Sequence, residues 1–291
     1  MQIAVICPFI NSTAIGYAEG VIEHLMGLNV NVIIDKNLYE GLGDTTGIKE
    51  QLTVFETLSS TTSFLICIGG DGSMLQAVIT VRDSNVPILG INTGRLGFLT
   101  SLQKESLNKG LQLLWEKKFT LINRSLLEVK IDEQQSLLND FPYALNEISV
   151  SRKDTASLIS IQAEIEGHPL TTYWADGLIV ATPTGSTGYN LSSGGPIVLP
   201  ETPSFVVTPI APHNLNIRPL VLPDHSTIKL EVSGREEQHL LSLDSRLVTL
   251  AHNTPIYIKK AAFSIATVQF NDTAFYNVLR EKLYWGIDKR N

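Results

Sequence analysis

The chain reads as two domains: an α/β N-terminal domain with a Rossmann-like parallel sheet, then an all-β C-terminal domain in the form of an antiparallel β-sandwich. Three observations predict this. Short apolar runs alternate with helix-length stretches in the first third, the pattern of parallel strands covered on both faces. After Trp115-Glu116-Lys117-Lys118 the period of the apolar residues drops to two, as in half-buried strands. A helical stretch then closes the chain. The domains are expected at 1–118 and at 119–271, with the closing helical stretch at 272–291.

Taken in order, residues 2–7 read as a strand, 12–28 as a helix, and 30–35 and 64–68 as strands. Residues 73–82 read as a helix, 87–91 as a strand and 104–116 as a helix. The alternating runs that follow are Leu126–Ile131, Ser160–Ile165, Thr227–Val232 and Thr254–Lys259, with turns at Gly167-His168 and Ser233-Gly234-Arg235. Phe275 to Ile287 returns to helical spacing. No internal repeat or low-complexity tract interrupts the pattern.

The chain has 291 residues, enough to bury two cores without staples. Its formal charge of −7 gives no general attraction to nucleic acid or to an anionic membrane, so a phosphate site must be local. Cys7 and Cys67 sit in apolar runs and read as buried, reduced thiols. The six histidines show no metal-ligand spacing. Ile3–Cys7 has no basic leader and meets Pro8 at once, so it reads as a first strand and not a signal peptide. No apolar stretch approaches the ~20 residues of a membrane span. A cytoplasmic protein is expected.

The sharpest motif is Gly69-Gly70-Asp71-Gly72-Ser73, set on the end of the run Phe64–Ile68. It reads as strand, tight turn and helix. The glycines clear side chains from the path of a phosphate and permit positive φ. The helix start presents amides to anions. Asp71 is then one fixed carboxylate that can accept a proton or hold a metal. The turn is neither a P-loop, since no Lys-Ser or Lys-Thr follows, nor GxGxxG.

A longer cluster runs from Asp176 to Pro196 (DGLIVATPTGSTGYNLSSGGP). A strand-like run leads into a loop rich in small hydroxyls and amides, with Tyr189 offering a ring and a hydroxyl. Bounding strands and prolines argue against a flexible linker. A third element is Asn146-Glu147, ahead of the alternating Ile148–Ser151. Asn can pair bidentately with an adenine edge, and Glu can accept from ribose hydroxyls.

Together GGDGS, Asn92-Thr93-Gly94-Arg95-Leu96-Gly97-Phe98-Leu99, Asn146-Glu147-Ile148-Ser149, the long second cluster, Pro209–His213 and Arg218-Pro219-Leu220 resemble the NAD kinase family over nearly the whole chain. The GGDG turn alone is shared with diacylglycerol, sphingosine and phosphofructo-kinases; the second cluster is far more specific. The resemblance implies transfer of the γ-phosphoryl of ATP to the 2′-hydroxyl of the adenosine ribose of NAD, yielding NADP. It implies Asp71 as general base, with Gly72 and neighbouring amides on phosphate. It implies Asn146 on the adenine, Glu147 on ribose hydroxyls, Thr187, Tyr189 and Ser192 in the adenosine pocket, and Asp176 and Ala211 toward the nicotinamide, with Phe98 as an apolar wall; Trp174, Gly188, Asn190 and Leu191 are further expected NAD-binding residues. It also implies magnesium on the donor phosphates, no protein metal cluster, a terminal helix packed back on the first domain, and a homodimer or homotetramer through the second domain's strands. Inorganic polyphosphate is an alternative donor.

The chain departs from the family's common pattern at Ser73 (often Thr), at Trp174-Ala175 before the DG, at Gly188 (often Ala), and at Asp244-Ser245-Arg246, where many bacterial members carry Gln in the last place. Two other classes compete. A lipid kinase sharing GGDG requires a membrane-facing surface, and no basic amphipathic helix supplies one. A non-catalytic dinucleotide sensor requires loss of the Asp, and Asp71 is present.

Overall fold

The computed structural model describes residues 1–43, 47–59, 61–94, 97–132, 138, 141–153, 157–270 and 275–284. Two compact units emerge, Met1–Asn123 with Ile265–Asn291, and Arg124–Ser264. The exchange points lie within two long strands, Thr120–Ile131 and Ile256–Gln269, a few residues from the boundaries expected at 118 and 272.

In the first unit the elements are β1 (Gln2–Ile6), α1 (Ser12–Gly27), β2 (Asn31–Asp35), α2 (Lys36–Gly41), β3 (Thr53–Phe55), β4 (Phe64–Ile68), α3 (Asp71–Val81), β5 (Ile88–Ile91) and α4 (Leu107–Trp115). The strands pair in parallel in the order β3-β2-β1-β4-β5. Ile3, Val5, Ile34, Ile66, Ile68 and Leu89 form the core with Ala18, Val21, Ile22 and Leu25 of α1. Asn11 caps α1, its side chain accepting from the Ala14 amide at 2.9 Å. Cys7 and Cys67 are free and buried. The strand order reverses at β1, and such sheets receive ligands at the carboxyl ends of the strands near that reversal.

The second unit begins within β6 (Thr120–Ile131) and continues through β7 (Tyr143–Ala144), β8 (Glu147–Arg152), β9 (Ile159–Ile165), β10 (His168–Ala175), β11 (Gly177–Ala181), α5 (Tyr189–Ser192), β12 (Ser204–Ile210), β13 (Leu220–Pro223), β14 (Ile228–Ser233), β15 (Gln238–Leu243), β16 (Arg246–Ala251) and into β17 (Ile256–Gln269). One antiparallel sheet runs β13-β12-β11-β8-β15-β16. The other contains β10-β9-β14 and the first part of β17. Their inner faces share a core: Ile148, Val150, Leu178, Val180 and Phe205 from one sheet, Val129, Ile161, Leu230, Val232 and Ile258 from the other. That is a β-sandwich. The turn expected at Gly167 forms, with Glu166 and Gly167 both at positive φ (52° and 75°), as two-residue hairpin turns require.

The last part of β17 belongs to the first unit, where Thr267 pairs in parallel with Ile88. Helix α6 (Phe275–Leu283) packs there too: the Phe275 ring lies 6.2 Å from Phe98, and Lys282 stands 5.1 Å over the same Phe98 ring. The helix expected to Ile287 thus ends at Leu283 among the described residues; residues 285–287 lie outside them. No helix among the described residues is long and apolar enough to cross a membrane.

Buried His239 on β15 has no hydrogen-bond partner for either ring nitrogen. Burial, reinforced by neighbouring His252, pulls its pKa down to about 4. The unfolded chain binds this proton from about pH 6.5 downward, so the folded state loses stability as pH falls from there toward 4. A thermal-melt series from pH 7 to 4 should show a steeper decline for the wild type than for His239→Leu; parallel curves would contradict this.

Candidate functional site

Asp71 is fixed from outside its own helix. The turn before it needs glycine: Gly69 has φ 144°, and a Cβ there would stand 2.0 Å from Ser73 Oγ. Asp71 is the first residue of α3, and its carboxylate reaches across to the loop after β5. Oδ2 accepts the Phe98 amide at 2.9 Å and Oδ1 the Leu99 amide at 3.0 Å. A Cβ at Gly97 would come within 1.8 Å of Oδ1, so only glycine allows this approach. Thr100 Oγ1 braces the loop by accepting from Asn92 Nδ2 and the Gly97 amide, both at 3.1 Å. A carboxylate has about four acceptor positions; two are occupied here, and two remain for a proton or a cation. Gly72 is exposed beside it. Arg95 and Leu96 lie outside the described residues.

In the second unit the organising group is one the motif reading passed over. Asp244, in the β15–β16 turn at φ 52°, accepts the amides of Leu145 at 2.9 Å, Asn146 at 2.8 Å and Glu147 at 3.2 Å. Its own amide donates back to the Glu147 carbonyl at 2.9 Å. Asn146 and Glu147 are thereby set at the head of β8. Gly185 seals the loop from the other side, since a Cβ there would stand 2.1 Å from the Asn146 carbonyl oxygen. Arg246, singled out as a departure from the family pattern, donates to the Phe141 carbonyl at 2.6 Å and to the Tyr143 carbonyl, holding the segment that leads into Asn146.

Burial and the Asp244 charge push the Glu147 carboxyl up to about 8, against the Tyr189 amide, which favours the charged form. Burial raises Asp244 as well. Asp244 is served by three amides with Arg246 nearby, whereas Glu147 Oε2 is buried without a partner. The proton therefore rests on Glu147, which near neutral pH is an acid able to donate as well as accept.

The long loop turns most of its polar groups inward. Thr182 Oγ1 donates to the Leu145 carbonyl at 2.6 Å and accepts the Gly185 amide at 3.1 Å. Ser186 Oγ exchanges hydrogen bonds with the Val198 carbonyl and amide. Asn190 was read as a ligand contact. Its side chain is instead wholly buried: Nδ2 donates to the Ser186 and Pro196 carbonyls at 3.0 Å, and Oδ1 accepts from Thr208 at 2.6 Å. It has no edge left for a ligand and acts as the loop's internal brace. Thr187, Gly188 and Leu191 are half-buried, and Tyr189 and Ser192 are exposed. Gly188 sits against Glu147, where a Cβ would lie 3.1 Å from Oε2.

Trp174, Asp176 and Ala211 gather at the other end of β11. Gly177 pairs with Ser151 and Ile210 while Ala181 pairs with Glu147, so the two groups lie about 13 Å apart along the strand. Asp176 pairs with Arg152 at 3.1 Å. Ala211 bends the chain at φ 43°. The His213 amide donates to the Trp174 carbonyl at 2.7 Å, which ties that loop to β10 and leaves the Trp174 side chain exposed.

A doubly-wound unit carrying an amide-bound carboxylate on a GGDG turn, and a sandwich carrying an Asn-Glu head beside a Gly/Thr/Ser loop, define a nucleotide-handling phosphotransferase of the GGDG class. The chain belongs to the NAD kinase family: residues 3–119 match the ATP-NAD kinase N-terminal domain and residues 145–270 the ATP-NAD kinase C-terminal domain. It is 46% identical to the NAD kinase of Christiangramia forsetii and 46% identical to that of Flavobacterium psychrophilum, in each case over 100% of both chains. Among solved structures, yeast NADH kinase complexed with NADH superposes with a TM-score of 0.85 at 27% identity, covering 99% of this chain and 89% of that one. An NAD kinase from Archaeoglobus fulgidus in complex with ATP gives 0.73 at 26%, covering 98% and 99%.

Removing Asp244 strands three amides. Asp244→Ala should lower unfolding free energy by on the order of 3 kcal/mol in urea titration, and Gly185→Ala should shift the midpoint in the same direction. Unchanged midpoints would show that the Asn146-Glu147 loop holds itself.

Proposed function

We propose that this protein is an enzyme that moves the γ-phosphoryl group of ATP to the 2′-hydroxyl of the adenosine ribose of NAD, releasing ADP and NADP. The single observation that carries the reading is Asp71, a carboxylate fixed by the Phe98 and Leu99 amides with acceptor capacity left over. In the reaction the 2′-oxygen bonds to the γ-phosphorus, the bond from that phosphorus to the β–γ bridging oxygen breaks, and the hydroxyl proton passes to Asp71. Such a base contributes about 10²–10⁴-fold.

Asn146 takes the adenine edge, and Glu147 meets the ribose as a protonated acid. Thr187, Tyr189 and Ser192 line the adenosine, while Trp174, Asp176 and Ala211, at the far end of β11, receive the nicotinamide half. Among the described residues no group of three His, Cys, Asp or Glu side chains could cage a metal. Magnesium is commonly held through one or two carboxylates, water and substrate phosphates. The ion would sit on the donor phosphates and offset their charge, leaving Asp71 for the proton. A homodimer or homotetramer through the second unit's strands belongs to the same reading; Val221 and Leu247, on the outer strands β13 and β16, are 50% and 66% exposed. Polyphosphate remains a second donor to assay.

Purified protein with NAD, ATP and magnesium should yield NADP, read by an NADP-specific dehydrogenase, and none without ATP; no product with either ATP or polyphosphate would overturn the reading. Asn146→Ala and Tyr189→Ala should raise KM for NAD. The wild-type KM for NAD should also climb as pH passes about 8, where Glu147 loses its proton. Glu147→Gln, locked neutral, should stay flat, and matching pH profiles would remove Glu147 from the ribose.

A further inference from the structure

The first unit holds a second feature that the motifs do not include. A cavity of about 380 Å³ opens at the carboxyl ends of β1 and β2, lined by Ile6, Pro8, Phe9, Asp35, Asn37, Gln76, Ile79 and Thr80. It lies at β1, where the strand order reverses, the place where open parallel sheets take ligands, and its volume suits a small organic group. Asp35 ends β2, and its Oδ1 is buried with no hydrogen-bond partner. Burial raises the pKa of this carboxyl, opposed by the Leu38 and Asn37 amides, which favour its charged form; what the geometry leaves is one oxygen short of a partner. Phe9 presents its ring at the rim, 59% exposed. Asn37 and Gln76 add amide groups that can donate and accept along a heterocycle edge.

The third wall connects this cavity to the catalytic turn. Gln76, Ile79 and Thr80 follow Gly72 at helical spacings of four, seven and eight on α3, so they share one face. From Gly72 to Thr80 the helix rises about 12 Å, a distance that three linked phosphates and a sugar can span. Phe9 closes the near end; its Cε2 lies 3.9 Å from where a Cβ on Gly72 would be.

We propose that this cavity seats the nucleoside of the phosphoryl donor. The ribose hydroxyls donate to Asp35, the base lies on the Phe9 ring with its edge toward Asn37 and Gln76, and the phosphate chain runs along α3 toward Asp71. The proposal rests on the kinase reading above and adds what would make the donor a nucleotide instead of bare polyphosphate.

The test compares wild type, Asp35→Asn and Phe9→Ala with ATP, 2′,3′-dideoxy-ATP and inorganic polyphosphate as donors. A hydrogen bond to a charged group corresponds to about ten- to a hundredfold in affinity. Wild type should therefore prefer ATP over the dideoxy donor by about that factor. Asp35→Asn should raise KM for ATP and lose the preference while KM for NAD stays put, the latter showing that the fold is intact. Phe9→Ala should raise KM for both nucleotides equally. An unchanged ATP preference in Asp35→Asn, or a wild type that uses polyphosphate and not ATP, overturns the proposal and leaves the kinase reading standing. Should wild type make no NADP from any donor, calorimetric titration with ATP reads the cavity separately: weaker binding to Asp35→Asn than to wild type supports it, and equal binding overturns it.

Discussion

Two backbone amides on one carboxylate organise the GGDG turn of the first unit. Asp71 sits at the start of a helix on a turn free of side chains, where an unsupported aspartate would sample many rotamers. The Phe98 and Leu99 amides fix it in one orientation. They also explain the surrounding sequence. Gly97 must be glycine for the loop to come so close, and Gly69 must be glycine for the turn to clear Ser73. Asn92 and Thr100 hold the loop that supplies the amides. The glycines of GGDG and the NTGRLGF run are parts of one device.

The second unit uses the same device for a different purpose. Asp244 gathers three amides and so places Asn146 and Glu147, but its buried charge also raises the Glu147 carboxyl. Burial is the larger cause of that rise, and the Asp244 charge adds to it. Thr182, Ser186 and Asn190, all wholly buried, spend their hydrogen-bonding capacity on the loop itself. What remains outward, Tyr189 and Ser192, is small in number because the loop's own shape consumes the rest.

The layout was legible wherever apolar runs were uninterrupted: β1, β2, β4, β5 and α1 lie within a residue or two of where the pattern put them. The strands β10, β13, β15 and β16 were not, because edge and hairpin strands mix Pro, Thr, His and Ser with few buried positions. Asp71 was legible because three glycines beside an acid have few structural uses. Asp244 was hidden in Asp244-Ser245-Arg246, which reads as an ordinary hairpin turn. Asn190 misled because a sequence names an amide without saying whether it faces ligand or core. Asp35 closes an apolar run like any strand-ending polar residue; only the unsatisfied oxygen beside an open cavity sets it apart.

In the proposed reaction Asp71 acts on the proton of the accepting hydroxyl and not on substrate binding. The direct measurement is Asp71→Asn, with NAD affinity by calorimetry and turnover by NADP formation taken on the same preparation. The account predicts an unchanged dissociation constant for NAD with turnover lower by about two to four orders of magnitude. Turnover near that of the wild type, or a loss explained wholly by weaker NAD binding, would contradict it.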